Sequence, residues 1–173
     1  FMKKVIVIGC PGSGKSTFAR ALTEVTGLPL YYLDMMYWNA DGTQVDKPMF
    51  LERLADAMAH DEWIIDGNYG STMERRMQAC DTVFFLDYPT EVCLEGIRTR
   101  RGTPRPDMPW IETEEDAEFI EFIQSYNRES RPRVLELLKQ YADKTIVIFR
   151  DRTEAEKYLQ DLNQKLNKNR SRK

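Results

Sequence analysis

Residues 9–16 combine glycines, a lysine and a serine in a pattern that can hold phosphate. They read Gly-Cys-Pro-Gly-Ser-Gly-Lys-Ser, which is the spacing G-x-x-x-x-G-K-S. The glycines let successive backbone amides curl around an anion at the start of a helix, and the lysine can reach the β- and γ-phosphates of a nucleotide. The serine hydroxyl is a ligand for Mg²⁺. We therefore expect this loop to bind ATP and Mg²⁺ through Gly9, Pro11, Gly12, Ser13, Gly14, Lys15, Ser16 and Thr17.

The flanks of the loop meet the structural condition of the pattern. An apolar run at 3–8 precedes it and a helix-compatible run at 17–22 follows it. Four more short runs are apolar on both faces, which is typical of parallel strands covered by helices. The strands are predicted at 3–8, 30–33, 63–65, 82–86 and 145–149. Strands that alternate with helices predict an α/β fold around one parallel sheet of five strands.

Sequence patterns also mark the ends of helices. Three capping boxes, in which a Ser or Thr precedes an acidic residue by three positions, predict helix starts. Apolar residues at helical spacing continue from Ile120 to Tyr141, and Pro132 is expected to kink or divide that helix. The capping boxes are Ser71 with Glu74, Thr113 with Asp116, and Thr153 with Glu156.

Residues 98–115, which we call the flap, interrupt the alternation of strands and helices. The flap contains three prolines, Gly102, Trp110 and several arginines, and it shows no period of 2 or 3.6 residues. Such a segment after the fourth strand and its helix is typical of a mobile loop that closes over a phosphate site. We expect it to be mobile or open without ligand and to become ordered over the phosphates when a ligand binds. A static, solvated basic loop is the alternative.

Composition favours one domain, residues 1–173, that works in the cytosol. The hydrophobic fraction of 42% suits one substantial core, and the longest apolar runs are too short to cross a membrane. The three cysteines lack the spacing of metal ligands, so we expect reduced thiols. The net charge of −3 and the pI of about 5.4 argue against direct DNA binding. Only the tail at 165–173 is basic, and a frayed, solvated terminus explains it.

Several of these elements together resemble a known group of proteins. The phosphate loop, Leu33-Asp34 at the end of the second strand, the segment 63–68 and the arginine-rich flap are similar to the adenylate-kinase-like group of small P-loop kinases. Within that group, residues 33–38, 63–69 and 105–109 most resemble proteins labelled DNA topology modulation proteins.

The resemblance extends from residue 3 to about residue 162 and implies both a fold and an activity. The fold would be the three-layer α/β/α sandwich of P-loop NTPases, with a parallel sheet ordered 2-3-1-4-5 and the flap as a short lid. The activity would be transfer of the γ-phosphoryl group of ATP, with Mg²⁺, to a small acceptor.

The resemblance also gives roles to two aspartates and a tryptophan. Asp66 is similar to the strand-end aspartate that holds the water shell of Mg²⁺ beside Ser16, and a turn aspartate before Gly67 is the alternative. Asp34 is similar to the carboxylate that such kinases place against the acceptor hydroxyl, as an orienting group or general base. A capping or loop role for Asp34 is the alternative. Trp38 would stack on an acceptor ring or belong to the core.

The resemblance divides the arginines between the two substrates. Arg75 and Arg76 lie where nucleotide kinases bind the phosphate of the acceptor, but the usual Gly-Phe-Pro-Arg sequence is missing, which weakens the case for a phosphorylated acceptor. Four other arginines are similar to lid arginines that neutralise charge on the γ-phosphate. Each arginine has a surface ion pair as its alternative, because 31% of the residues are charged. The lid arginines are Arg98, Arg101, Arg128 and Arg131.

Two other functions share the phosphate loop. The family label suggests a nucleotide-binding regulatory protein linked to DNA topology, without kinase turnover. A nucleotide-sensing switch would need Lys15 and Ser16 but no acceptor pocket, and the acceptor elements at Asp34 and Arg75 argue against it. The sequence therefore favours an ATP- and Mg²⁺-dependent phosphotransferase and leaves its acceptor open.

Overall fold

The computed structural model describes residues 1–173 and contains one sheet of five parallel strands. The strands lie in the order β2-β3-β1-β4-β5, which confirms the predicted sheet. Each predicted strand agrees with the structure to within one residue at either end. The strands are β1 (Lys4–Gly9), β2 (Leu30–Tyr32), β3 (Trp63–Asp66), β4 (Thr82–Leu86) and β5 (Thr145–Phe149).

Eight helices connect the strands and cover both faces of the sheet. One buried cluster joins the sheet to α1, α5, α6 and α8, and a second joins it to α2, α3, α4 and α7. The result is the predicted three-layer α/β/α sandwich. The helices are α1 (Lys15–Thr26), α2 (Leu33–Tyr37), α3 (Lys47–Met58), α4 (Gly70–Ala79), α5 (Thr90–Arg100), α6 (Ala117–Glu129), α7 (Arg131–Gln140) and α8 (Arg152–Ser171).

The central strand shows why the sequence is apolar without alternation. Val5 and Val7 of β1 point into one buried cluster, and Ile6 and Ile8 point into the other. All four side chains are fully buried. A strand covered by helices on both faces needs apolar residues at successive positions, and that pattern allowed it to be predicted.

The helix starts differ from the capping-box predictions. α4 begins without any side-chain cap. α6 is capped by Asp116, whose carboxylate accepts hydrogen bonds from two backbone amides, and α8 is capped by Asp151. A carboxylate is favoured over a hydroxyl at the positive end of a helix, and these aspartates lie close to the predicted threonine caps. Pro132 lies in the first turn of α7, so the predicted division of the long helical pattern is confirmed.

The basic tail differs from the expected frayed terminus. α8 continues to Ser171, so most of the segment 165–173 is helical. Leu166 packs against the core below the helix, while the lysines and arginines of the tail are exposed. Every helix of the chain is too short or too polar to cross a membrane.

Candidate functional site

The phosphate loop joins β1 to α1 and packs directly on α5. Gly12 has a φ of 85°, and a Cβ built on it would lie 2.0 Å from the carbonyl oxygen of Cys93. A Cβ on Gly96 would lie 2.1 Å from the carbonyl oxygen of Gly12. Loop and helix therefore meet backbone to backbone, which only glycine allows. The predicted contacts Gly9, Pro11, Gly12, Ser13, Gly14, Lys15, Ser16 and Thr17 all lie in this loop and the first turn of α1.

The start of α1 leaves its backbone amides available to an anion. Gly14 is the N-cap residue, and no side chain caps the helix. The first amides of a helix have no partner within it, and the helix dipole favours negative charge there. Lys15 follows at once, and its Nζ donates to the carbonyl oxygen of Cys10 at 3.4 Å across the loop. The loop thus holds a cation and unpaired donors around one small space.

Asp66, the last residue of β3, reaches the same space from the neighbouring strand. The hydroxyl of Ser16 donates to its Oδ2 at 2.5 Å. Burial raises the pKa of Asp66 to about 6, against the opposing effects of the Lys15 charge and the Ser16 hydrogen bond. Its Oδ1 is buried and has no hydrogen-bond partner. An unsatisfied buried carboxylate oxygen beside a serine hydroxyl fits a cation or its water shell.

These residues fit Mg²⁺ in the way that nucleotide sites hold it. The chain has no cluster of three or more His, Cys, Asp or Glu side chains that could hold a metal by themselves. Mg²⁺ usually keeps several waters and takes one or two protein ligands plus phosphate oxygens. Ser16 and Asp66 supply such a pair next to the phosphate loop.

A cleft with a volume of about 670 Å³ extends from the phosphate loop toward α2 and the flap. Asp34 lies on its wall in the first turn of α2, directly after β2. The hydroxyl of Tyr69 donates to Asp34 Oδ1 at 2.5 Å. Burial raises the pKa of the Asp34 carboxyl, while that hydrogen bond and the charge of Lys15 lower it. Asp34 and Lys15 therefore line the same cleft, and the charge of Lys15 acts on the carboxyl of Asp34.

Aromatic side chains line the far end of this cleft. The ring of Tyr37 lies 5.1 Å from that of Trp38 and 4.8 Å from that of Tyr69. Trp110, from the flap, meets Trp38 with ring centroids 5.7 Å apart. The predicted acceptor residue Trp38 thus lies on the cleft wall, and the flap adds a second indole beside it.

The flap lies against the body of the protein. Asp107 is buried and forms ion pairs with Arg105 at 3.2 Å and with Arg20 of α1 at 3.9 Å. Glu112 pairs with Arg105 at 2.7 Å. Residues 98–100 of the flap belong to the end of α5, in contrast to the prediction, and residues 101–115 have no regular secondary structure. These ion pairs and the Trp110 contact hold it over the cleft.

The two predicted acceptor arginines lie elsewhere. Arg76 is fully buried, and its guanidinium donates to the carbonyl oxygens of Gly67 and Tyr69 and to the hydroxyl of Thr72. It supports the turn between β3 and α4 and has no donor directed at the cleft. Arg75 is exposed on α4 and does not line the cleft.

None of the four predicted lid arginines lines the cleft. Arg101 pairs with Glu115 at 3.8 Å, and Arg131 makes a two-bonded ion pair with Asp87 at 2.8 and 2.9 Å. Arg98 and Arg128 are exposed.

The arginine that does line the cleft is Arg100. Helical spacing could have found it, because Cys93, Ile97 and Arg100 follow one another at i, i+4 and i+7, and the first two are buried against the loop and α6. Tyr69, Asn68 and Trp110 are further lining residues to which the sequence gave no role. Residue type alone carried no signal for them.

The chain is similar to a shikimate kinase from Bacteroides thetaiotaomicron, with 20% identity, a TM-score of 0.55 and coverage of 96% of this chain and 99% of that one. It is also similar to a shikimate kinase from Acinetobacter baumannii, solved in complex with shikimate, with 17% identity and a TM-score of 0.63. That match covers 97% of this chain and 94% of that one. The chain has the P-loop kinase fold.

A third structure with this P-loop kinase fold is a sugar kinase from Janibacter sp. HTCC2649. It has 18% identity and a TM-score of 0.51, over 96% of this chain and 92% of that one. No family model and no curated protein sequence matches the chain. The comparisons therefore agree with the P-loop kinase fold. They carry no support for the finer resemblance to DNA topology modulation proteins.

Proposed function

We propose that the protein is an ATP- and Mg²⁺-dependent phosphotransferase that moves the γ-phosphoryl group of ATP to a hydroxyl of a small acceptor. The observation that carries this proposal is the shared cleft, because Lys15 and Ser16 line the same cavity as Asp34. A protein that only binds a nucleotide needs the first half of this cleft and not the second. The free state of all three cysteines supports a place of action in the cytosol.

The part of the cleft formed by residues 9–17 and Asp66, which we call the phosphate half, binds and neutralises the polyphosphate. Amides of the loop and of the first turn of α1 donate to phosphate oxygens, and Lys15 balances their charge. Ser16 and Asp66 would hold Mg²⁺, which when bound supplies further neutralisation of the phosphates. The buried position of Asp66 keeps this charge interaction strong, because water screens it little.

The part of the cleft formed by α2, the β3–α4 turn and the flap, which we call the acceptor half, orients the attacking hydroxyl. Tyr69 fixes Asp34 through Oδ1, which leaves Oδ2 to accept the proton of an acceptor hydroxyl. As the new bond from acceptor oxygen to phosphorus forms and the bond to the ADP oxygen breaks, that proton passes to Asp34. Burial raises the pKa of Asp34, which makes its carboxylate a better base than one in water.

The flap completes the site by excluding water. Trp110 covers the acceptor end of the cleft, and Arg100 at the base of the flap adds positive charge. Exclusion of water protects ATP from hydrolysis while an acceptor is bound. The four predicted lid arginines would need a further movement to reach the phosphates, and we keep them as candidates for that closed state.

The alternative is a nucleotide-binding regulatory protein linked to DNA topology, as the resemblance within the sequence implies. The surface for such a role would be the exposed, basic and helical end of α8 at residues 165–173. That surface lies outside the cleft. The second half of the cleft favours the kinase.

The test is a screen of hydroxyl compounds with ATP and Mg²⁺, in which ADP formation is measured with and without each acceptor. We expect at least one compound to raise ADP formation well above the ATPase background and to become phosphorylated. The variant Lys15→Ala should lose that activity. If ATP binds but no compound raises ADP formation, the regulatory alternative replaces the kinase.

A further inference from the structure

We propose that the acceptor is an alcohol without any anionic group, neutral or cationic, whose ring or alkyl face packs against Trp38 and Trp110. The inference rests on the proposed function and names the substrate class of the same cleft. It depends on three independent features: the charges of the lining, the positions of the arginines, and the aromatic end of the cleft.

The lining of the cleft is strongly acidic. Only two of its side chains are cations, Lys15 and Arg100. Lys15 belongs to the phosphate loop, and Arg100 lies 3.9 Å from the carboxylate of Glu112. Six carboxylates share the same surface: Asp34, Asp66, Asp107, Glu112, Glu114 and Asp116.

The ion pairs around the cleft leave part of this negative charge unbalanced. Arg105 and Arg20 compensate Asp107, and Arg105 also compensates Glu112. Neither Asp34 nor Glu114 forms an ion pair, although the charges of Lys15 and Arg105 lower the pKa of Asp34. Bound ATP would add more negative charge at the opposite end. An anionic acceptor would therefore lose its hydration in a negative field, which is costly, while a neutral or cationic acceptor would not.

All but one of the arginines discussed above lie outside the cleft; the exception is Arg100, which faces the carboxylate of Glu112 at 3.9 Å. Carboxylates and phosphates in binding sites are commonly held by arginine in a two-bonded arrangement. Arg76 uses its donors on backbone carbonyls of the β3–α4 turn, and Arg75 is exposed on another surface. Arg100 is therefore the single guanidinium in the lining that could meet an anionic acceptor, and Glu112 already offsets part of its charge.

The aromatic end of the cleft supplies what a neutral or cationic alcohol needs. The indoles of Trp38 and Trp110 meet at 64°, and Tyr37 packs beside the first. Aromatic faces bind rings, alkyl groups and cations such as ammonium. Trp110 Nε1 and Asn68 Oδ1 are buried without hydrogen-bond partners, so a donor and an acceptor are available to a polar ligand.

The experiment measures binding of matched alcohols to the protein saturated with Mg²⁺ and a non-hydrolysable ATP analogue, by calorimetry. Each pair differs in charge: a nucleoside and its 5′-monophosphate, an amino sugar and the corresponding uronic acid, an amino alcohol and a hydroxy acid. In every pair that binds, we expect the member without the anion to bind at least about tenfold more tightly. An anionic member that binds as tightly overturns the proposal. So does a panel in which the ATP analogue binds and no neutral or cationic member does.

Two variants test the side chains that carry the inference. Trp110→Leu should weaken binding of the preferred alcohol about tenfold and leave binding of the ATP analogue unchanged. Ile111→Ala is the control, because Ile111 is exposed beside Trp110 and does not line the cleft. Equal losses in both variants would contradict the role of Trp110.

Charge is tested by Glu114→Lys, which should shift the affinity ratio of a pair toward the anion by about threefold. Glu121→Lys makes the same change in net charge outside the cleft and should leave the ratio unchanged. An unchanged ratio in Glu114→Lys would contradict the electrostatic argument.

The outcomes separate this inference from the proposed function. If alcohols bind as expected but none is phosphorylated, the kinase proposal fails and only the preference of the cleft for ligands without an anionic group stands. If an anionic compound is phosphorylated in preference to its partner, the kinase proposal stands and the acceptor class is wrong.

Discussion

The two halves of the cleft are built in different ways. The phosphate half consists of consecutive residues, 9–17, together with Asp66, and its binding groups are mainly backbone amides. The acceptor half combines side chains from α2, the β3–α4 turn and the flap, which lie far apart in the sequence. Local sequence therefore determines the first half, whereas the packing of the whole chain determines the second. The following predictions test this contrast.

The largest effect is expected in the phosphate half, from Lys15→Ala. Loss of the cation nearest the transferred phosphate should reduce phosphoryl transfer by about 10³-fold and weaken binding of ATP. Transfer and ATP affinity would be measured by ADP formation and calorimetry. Lys3→Ala, which changes an exposed lysine before β1, is the matched control. Similar activity in both variants would remove the basis for the phosphate half.

The next effect separates the two halves by kinetics. Asp34→Asn should reduce acceptor-dependent kcat by about 10²-fold or more and leave ATP affinity unchanged, because it removes a proton acceptor from the acceptor half. Asp66→Asn should instead raise the Mg²⁺ concentration needed for half-maximal activity, since its carboxylate bonds to Ser16. The measurement is a matrix of rates against acceptor and Mg²⁺ concentrations. A parallel loss of ATP affinity in both variants would show that the halves are not separate.

The third prediction tests the backbone contact beneath the phosphate loop. In Gly12→Ala, the new methyl group would clash with the carbonyl oxygen of Cys93, so the loop must move away from α5. We expect ATP affinity to fall by about tenfold or more, with a lower melting temperature.

Gly27→Ala is the control for backbone strain in the third prediction. Gly27 has a similar φ of 76°, but no atom lies within 4 Å of its Cβ position, so only stability should fall, by about 1 kcal/mol. Unchanged ATP affinity in Gly12→Ala would show that the contact with α5 does not shape the loop.

The sequence predicted the fold and the phosphate half better than the acceptor half. Continuous apolar runs located all five strands, and the signal has its clearest physical basis in β1, β3 and β4, which are buried on both faces. The phosphate loop was evident because its glycines are required locally. Arg76 could not be placed in the same way. The sequence does not distinguish a buried arginine that donates to carbonyl oxygens from an arginine that faces a substrate. Only the tertiary structure distinguishes them.

The flap also shows that contacts between distant residues cannot be predicted from local sequence patterns. Its composition predicted an irregular segment correctly, since prolines and glycine break both periods. The contacts that hold it on the body join residues distant in the chain: Asp107 with Arg20, and Trp110 with Trp38. No local pattern encodes such pairs. The packing of the flap on the cleft therefore could not be predicted from the sequence.

The smallest effect is expected among the arginines near the flap, where Arg100 and Arg128 offer a direct contrast. Arg100 lines the cleft, and burial lowers the pKa of its guanidinium, whereas the side chain of Arg128 is 77% exposed. A partly buried cation interacts with phosphate more strongly than an exposed one, because water and salt screen it less. Arg100→Gln should therefore reduce kcat/KM by about tenfold, and Arg128→Gln by less than about twofold.

Rates for both arginine variants should be measured at low and high salt, since a screened surface charge loses its effect as salt rises. If Arg128→Gln has the larger effect at both salt concentrations, α6 must approach the phosphates during turnover. In that case the lid would include the helix that follows the flap, and the acceptor half would be larger than the cleft described above.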